Sequence, residues 1–167
     1  MAREARPSRV RCCPSEPAPR RLPRLTSSLI YRDAAAAIDW LGRAFGFDVR
    51  LKVEGAGGRI DHSELVYGEG VIMVGQEGGD LSRYPWKAAL KSPLSMAGGT
   101  SQTIMIYVDD AESHCARARA AGARIVAEPE THDYGADYWA DRSYGALDPE
   151  GHLWWVTQRL RNPPAAR

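Results

Sequence analysis

Ile30-Tyr31-Arg32-Asp33-Ala34-Ala35-Ala36-Ala37-Ile38-Asp39-Trp40-Leu41-Gly42-Arg43-Ala44-Phe45-Gly46 reads as the end of a strand followed by a whole helix. The β-branched and apolar run from Thr26 to Tyr31 favours an extended chain. Asp33 can cap a helix, Ile38, Leu41 and Phe45 then recur at three- and four-residue steps, and Gly46 can end it. The same unit is written again at an offset of 76 residues, where Ile106-Tyr107-Val108-Asp109 through Ala120-Ala121-Gly122 overlays it without a gap. The strand end, the capping Asp and the closing Gly all match. A duplicated strand-helix unit predicts two pseudo-equivalent modules with a ligand site in the cleft between them.

The flanking pattern supports this. After Gly46, residues 48–53 read as a strand, Gly55-Ala56-Gly57-Gly58 as a turn, and 60–67 with 70–75 as a hairpin about Gly68-Glu69-Gly70. The first module is therefore β-α-β-β-β. Residues 77–101, rich in Gly and polar residues, form a linker or a lid. The order then recurs: a strand at 103–108, a helix at 110–121, a strand at 123–127, an irregular aromatic stretch at 130–142, and a hairpin turning at Asp148-Pro149-Glu150-Gly151. These limits predict a disordered basic arm over 1–24, a two-module domain over 25–160 with modules near 25–76 and 102–160, and a disordered tail over 161–167.

With 44% hydrophobic and 26% charged residues, the 167-residue chain has the composition of one soluble globular domain. It has no apolar run near the roughly 20 residues of a membrane span and no signal-peptide pattern. A cytoplasmic protein without a membrane partner is expected. The net charge of +1 conceals an asymmetry: residues 1–25 hold seven Arg against Glu4 and Glu16, so the rest carries about −4. The globular part therefore has no nucleic-acid signature, and the Pro-rich arm reads as an inert extension. Cys12, Cys13 and Cys115 do not make a disulfide framework, and Cys115 reads as a small core residue within a helix.

Asp148-Pro149-Glu150-Gly151-His152-Leu153-Trp154, together with the two β-α-β-β-β modules, resembles the vicinal oxygen chelate superfamily, which groups glyoxalase I, bleomycin-resistance proteins and extradiol dioxygenases. The helix Asp33–Phe47 and the hairpin Tyr144–Trp154 look most like its glyoxalase-like subgroup, over roughly residues 25–160. The resemblance implies an α+β fold in which the two modules form a cup-shaped mixed sheet with helices on the outer face. It also implies, by analogy, a homodimer with clefts at the subunit boundary.

In metal-dependent relatives, His, Gln and Glu ligands stand on the first and last strand of each module. Carried over by register, those positions fall at or next to Thr26, Val74, Thr103 and Trp155, with Gln102 one residue away. That set cannot hold a divalent ion, which wants three or four His, carboxylate or thiolate donors. His62 and Glu64 share one strand face but supply only two donors. His132 could act as a general base without an evident partner, His114 reads as surface or satisfied interior, and His152 as a structural hydrogen-bonder. No nucleophile elbow, phosphate loop or dinucleotide fingerprint is present. No cofactor and no metal are expected.

Aromatic residues are unevenly placed: Tyr134, Tyr138, Trp139, Tyr144, Trp154 and Trp155 fall within 22 residues, and Tyr84 and Trp86 lie in the long loop. Trp40 and Trp154 are expected in the core. The resemblance to bleomycin-resistance proteins implies reversible, metal-independent capture of a small planar or aromatic molecule. The expected cleft is lined by Trp155, Trp139, Tyr144 and Trp86, with Thr26 and Thr103 on its wall and Arg142 as polar anchor. This reading leans away from an enzyme. The alternative is a glyoxalase-like, metal-dependent lyase or isomerase, which requires His62, Glu64, His132 or Glu77 to converge.

Overall fold

The computed structural model describes residues 22–164; the basic arm up to residue 21, with Cys12 and Cys13, and the last three residues lie outside the described part. Eight strands and two α-helices follow in order: β1 (Ser27–Tyr31), α1 (Ala34–Phe45), β2 (Asp48–Glu54), β3 (Ile60–Tyr67), β4 (Gly70–Gln76), β5 (Thr103–Tyr107), α2 (Ala111–Ala120), β6 (Arg124–Asp133), β7 (Ala140–Leu147) and β8 (Leu153–Arg161). They form two four-stranded mixed sheets of identical topology, β1-β4-β3-β2 and β5-β8-β7-β6. In each, the first strand runs parallel to the fourth and the remaining pairs are antiparallel. The repeat in the sequence is thus a repeat in space.

Local chemistry sets the helix limits. Asp33 accepts the Ala36 N–H at 3.0 Å, which satisfies one of the free donors of the first turn of α1. Gly46 closes that helix at φ 84°, a left-handed conformation that glycine adopts without steric cost. Asp110 caps α2 by accepting the Ser113 N–H at 3.1 Å. The buried stripe of α2 is Ala111, His114, Cys115 and Ala118, spaced by three and four residues.

One hydrophobic core serves both modules. Phe45 and Phe47 of the first module place their rings 5.1 and 5.8 Å from the fully buried Trp154 of the second. Trp40 is buried too, and its indole N–H donates to the Ala121 carbonyl at 2.8 Å across the joint. Cys115 is a buried free thiol. The helix-side faces of both sheets share this core, and alternation along each strand leaves the opposite face of each sheet open.

The Asp148–Gly151 turn is the latch between modules. Asp148 is buried, and its carboxylate accepts the Tyr31 hydroxyl at 2.6 Å, the Trp154 indole N–H at 3.1 Å and the N–H groups of Glu150, Gly151 and His152. Glu150 reaches the start of α1, where it accepts the N–H groups of Arg32 and Asp33 at 2.7 and 2.9 Å, and it also accepts the Ser92 hydroxyl. His152 lies 2.9 Å from the Ile30 carbonyl, which can only accept, so its Nε2 carries the proton.

The stretch 130–142 is irregular only over 134–139. β6 continues to Asp133 and β7 begins at Ala140, with Thr131 opposite Arg142 and His132 opposite Asp141. The polar end of this edge strand is exposed on both faces, so it lacks the apolar alternation that announces a strand. No helix among the described residues is long and apolar enough to cross a membrane.

Candidate functional site

The open face of the second sheet is built from all four of its strands and one turn, β6 contributing His132. On β8 the buried Trp154 and Val156 alternate with Trp155, Thr157 and Arg159, which therefore share the other side. β5 adds Met105 and Tyr107, both more than half exposed, and β7 adds Asp141, Ser143 and Gly145. The turn between β6 and β7 brings Tyr134 and Trp139 alongside, their ring centroids 4.9 Å apart. Together these residues enclose a cavity of about 370 Å³ lined by Trp155, Trp139, Tyr134, Tyr107, Met105, His132, Asp141 and Arg159. A half-open pocket of flat rings with a few polar groups suits a planar ligand.

Its polar element is an ion pair. The Arg159 Nε–H donates to Asp141 Oδ1 at 2.5 Å, and Nη2 donates to the Tyr107 hydroxyl at 3.1 Å. The guanidinium carbon lies 5.4 Å from the Tyr107 ring centroid and 5.8 Å from that of Trp139, within cation–π range.

The first sheet has its own open face. Ser28, Ile30, His62, Met73 and Gly75 floor a cavity of about 560 Å³, and Tyr84, Trp86, Lys87 and Leu90 of the inter-module loop stand over it. Glu77 pins that loop shut at its base by accepting the Ser92 N–H and the Ser95 hydroxyl, each at 2.8 Å. A groove of about 780 Å³ runs between the free edges of β1 and β5, where Thr26, Ile72, Phe47 and Tyr67 face Ile104 to Tyr107.

The seven expected ligand residues are thus divided. Trp155 and Trp139 come together on the second face, while Trp86 stands over the first. Tyr144 is fully buried on the helix side because it alternates with Ser143 and Gly145; its hydroxyl lies 2.6 Å from His114 Nδ1, and burial pushes its pKa up. It lines none of these three cavities. Arg142 also points to the helix side, where it donates to Glu112 and Thr131, whereas Arg159 lines the aromatic cavity. Thr26 donates to the Val71 carbonyl at 2.6 Å in the edge groove, and Thr103 is exposed at the start of β5, outside these three cavities. Tyr107, Asp141 and Arg159 line the aromatic cavity without having been among the seven. Steps of two from Trp155 reach Thr157 and Arg159, a signal that was present in the sequence.

The inward positions also decide how the site treats a metal ion. Val74 is buried on the helix side, so the open-face residues of β4 are Met73 and Gly75 instead. The first and last strands then present Ser28, Ile30, Met73 and Gly75 in one module, and Thr103, Met105, Trp155 and Thr157 in the other. None is a carboxylate or an imidazole. His62 Nε2 lies 3.5 Å from Glu64, which already accepts from Arg50 at 2.8 Å. His132 lies on the other sheet, 3.9 Å from Glu130, and Glu77 is held by Ser92 and Ser95. Among the described residues, no three His, Cys, Asp or Glu side chains are grouped as a metal site. The donor set does not fit a divalent ion.

Comparison with known proteins agrees with this architecture. Residues 21–156 match the model of the Glyoxalase/Bleomycin resistance protein/Dioxygenase superfamily, and the chain belongs to that family. It is 33% identical over 141 residues to the uncharacterized protein Rv0887c of Mycobacterium tuberculosis (strain ATCC 25618 / H37Rv), a match covering 83% of this chain and 76% of that one. Among solved structures it is similar to TioX from Micromonospora sp. ML1, at 34% identity and a TM-score of 0.60 over 81% of this chain and 98% of that one. A glyoxalase/bleomycin resistance protein/dioxygenase family enzyme from Burkholderia phytofirmans PsJN shares the fold at 19% identity, with a TM-score of 0.61 over 81% of this chain and 97% of that one.

Proposed function

We propose that the protein captures a small planar aromatic molecule on the open face of its second module, without a metal ion and without turning it over. The observation that carries this is the grouping of Trp155, Trp139, Tyr134 and Tyr107 around one cavity whose only strongly charged elements, Asp141 and Arg159, neutralise each other. Flat rings at the wall supply stacking area at low entropic cost, and the Asp141 carboxylate is held by Arg159 rather than left free to act on a ligand. Capture lowers the free concentration of the ligand by mass action. The proposal includes a cytoplasmic homodimer, the commonest arrangement for a chain of this kind.

Titration of the protein with 2-naphthoate, followed by tryptophan fluorescence, tests the reading. Quenching in the wild type that is lost in Trp155→Ala and Trp139→Ala supports it. Loss in Trp86→Ala with retention in Trp155→Ala overturns the assignment of the face.

A further inference from the structure

We infer that the second-module face selects planar aromatic acids, with Arg159 as the group that reads the carboxylate. This rests on the aromatic-capture reading above and names the ligand class for that same site.

The argument begins with the donors of the guanidinium. Arg159 has five N–H groups, of which the protein uses the one on Nε for Asp141 and one on Nη2 for Tyr107. Among the described residues, none accepts from Nη1, so each of the two nitrogens of the Nη1–Nη2 edge keeps at least one free N–H. That edge binds a carboxylate with two parallel hydrogen bonds. The side chain is not loose: Asp141, itself buried, fixes one edge, while the rings of Tyr107 and Trp139 flank the plane. The Tyr107 hydroxyl accepts from Arg159, and its own proton has no described acceptor, which leaves it a further donor next to the guanidinium.

Asp141 occupies a different edge of the guanidinium. A ligand carboxylate on the Nη fork therefore meets the cation at hydrogen-bonding distance and the anion of Asp141 only beyond it. Charge-assisted bonds of this kind are about twice as strong as neutral ones. Trp155 and Trp139 line the same cavity and give the attached ring system its stacking surface. A carboxylate attached directly to a flat ring system meets both requirements at once.

Calorimetric titration of the full-length protein with 2-naphthoate and with its neutral isostere 2-naphthamide tests this. The Asp141→Asn/Arg159→Gln double variant removes both charges together, so neither is left buried alone. The wild type is expected to bind 2-naphthoate about 10-fold tighter than 2-naphthamide, with the ratio falling to about 1 in the double variant. Arg159→Lys keeps the charge without the fork and is expected to lower the ratio to about 3. Equal affinities in the wild type, with both ligands lost in Trp155→Ala, overturn the carboxylate assignment while aromatic capture stands. A ratio that persists in the double variant overturns it as well. If the double variant fails to fold, Arg159→Lys decides, and an unchanged ratio there refutes the assignment. Failure of both ligands to bind the wild type refutes both readings.

Discussion

Gly145 stands directly opposite Trp155 on the β7–β8 ladder, and a β-carbon at position 145 would sit 3.4 Å from the indole Cη2 and 3.3 Å from Val126 Cγ2. The missing side chain lets the Trp155 indole lie over the backbone of its neighbour strand. The flatness of the aromatic wall therefore depends on a residue that need not touch the ligand.

Gly145→Val is accordingly expected to tilt Trp155 off the sheet and to weaken 2-naphthoate binding by about 10-fold, an order-of-magnitude loss of stacking. Gly145→Ala, which asks its neighbours to give by a few tenths of an ångström, is expected to cost about 2- to 3-fold. Calorimetric titration with near-ultraviolet circular dichroism, which follows the indole environment, checks both. Full affinity in Gly145→Val would show that the ligand does not lie on Trp155.

Glu150 joins the two modules through the N–H groups of Arg32 and Asp33 and the hydroxyl of Ser92. Glu150→Ala leaves those donors without their acceptor and is expected to destabilise the fold by about 2–4 kcal/mol, lowering Tm by roughly 5–15 °C. Because Glu150 lines no part of the aromatic cavity, 2-naphthoate affinity measured well below Tm is expected to stay within about 2-fold of wild type. A calorimetric melt matching the wild type would contradict the latch.

His114 gives the joint a pH dependence. Its Nε2 lies 3.3 Å from the Phe45 carbonyl and must donate, so Nδ1 accepts the Tyr144 hydroxyl, an arrangement only the neutral ring can make. Burial first, and then the Arg117 guanidinium, push its pKa below the ordinary 6.5. The unfolded chain therefore binds the proton more readily than the folded one, and this contribution is lost as pH falls below 6.5 toward the lowered value. Denaturant melts between pH 7.5 and 5 are expected to show falling stability over that range, and His114→Gln is expected to flatten the fall while lowering stability at pH 7.5 by about 1 kcal/mol.

Most of the fold was readable in the chain because the signals that specify it are local. The Asp33 and Asp110 caps, the Gly46 closure and the apolar stripe of α1 each act within a few residues. The site was only half readable, because it depends on which face of a strand a residue takes. Trp155 is on the open side by simple alternation. Tyr144 and Arg142 take the helix side, and for the inward position expected at or next to Val74 the open-face residues are its neighbours Met73 and Gly75; a shift of one moves a side chain to the other face. The β6–β7 pair explains why the sides taken by Tyr144 and Arg142 were hard to read: its polar exposed end reads as loop, so β7 has no visible start from which to count. The division of Trp86 from Trp155 depends on how the modules pack, and helix-to-helix contacts such as Trp40 with Ala121 leave no mark on strand periodicity.

The latch also accounts for the Asp148–Trp154 phrase. Tyr31, Trp154 and three backbone N–H groups converge on the Asp148 carboxylate, so the motif that carries the sequence resemblance joins the two modules through Tyr31. Asp148→Asn converts an acceptor of five bonds into a group that must donate on one side, and is expected to lower Tm more than Glu150→Ala does. A thermal melt of the two variants side by side checks the order.

The central claim is capture on an aromatic face that needs no ion. Its most direct test is a calorimetric titration of the wild-type protein with 2-naphthoate before and after exhaustive dialysis against a chelator, with the ligand recovered and analysed at the end. The account predicts the same affinity in both titrations and unaltered ligand. Binding that vanishes on dialysis and returns with an added divalent ion, or ligand recovered as a new compound, would contradict it.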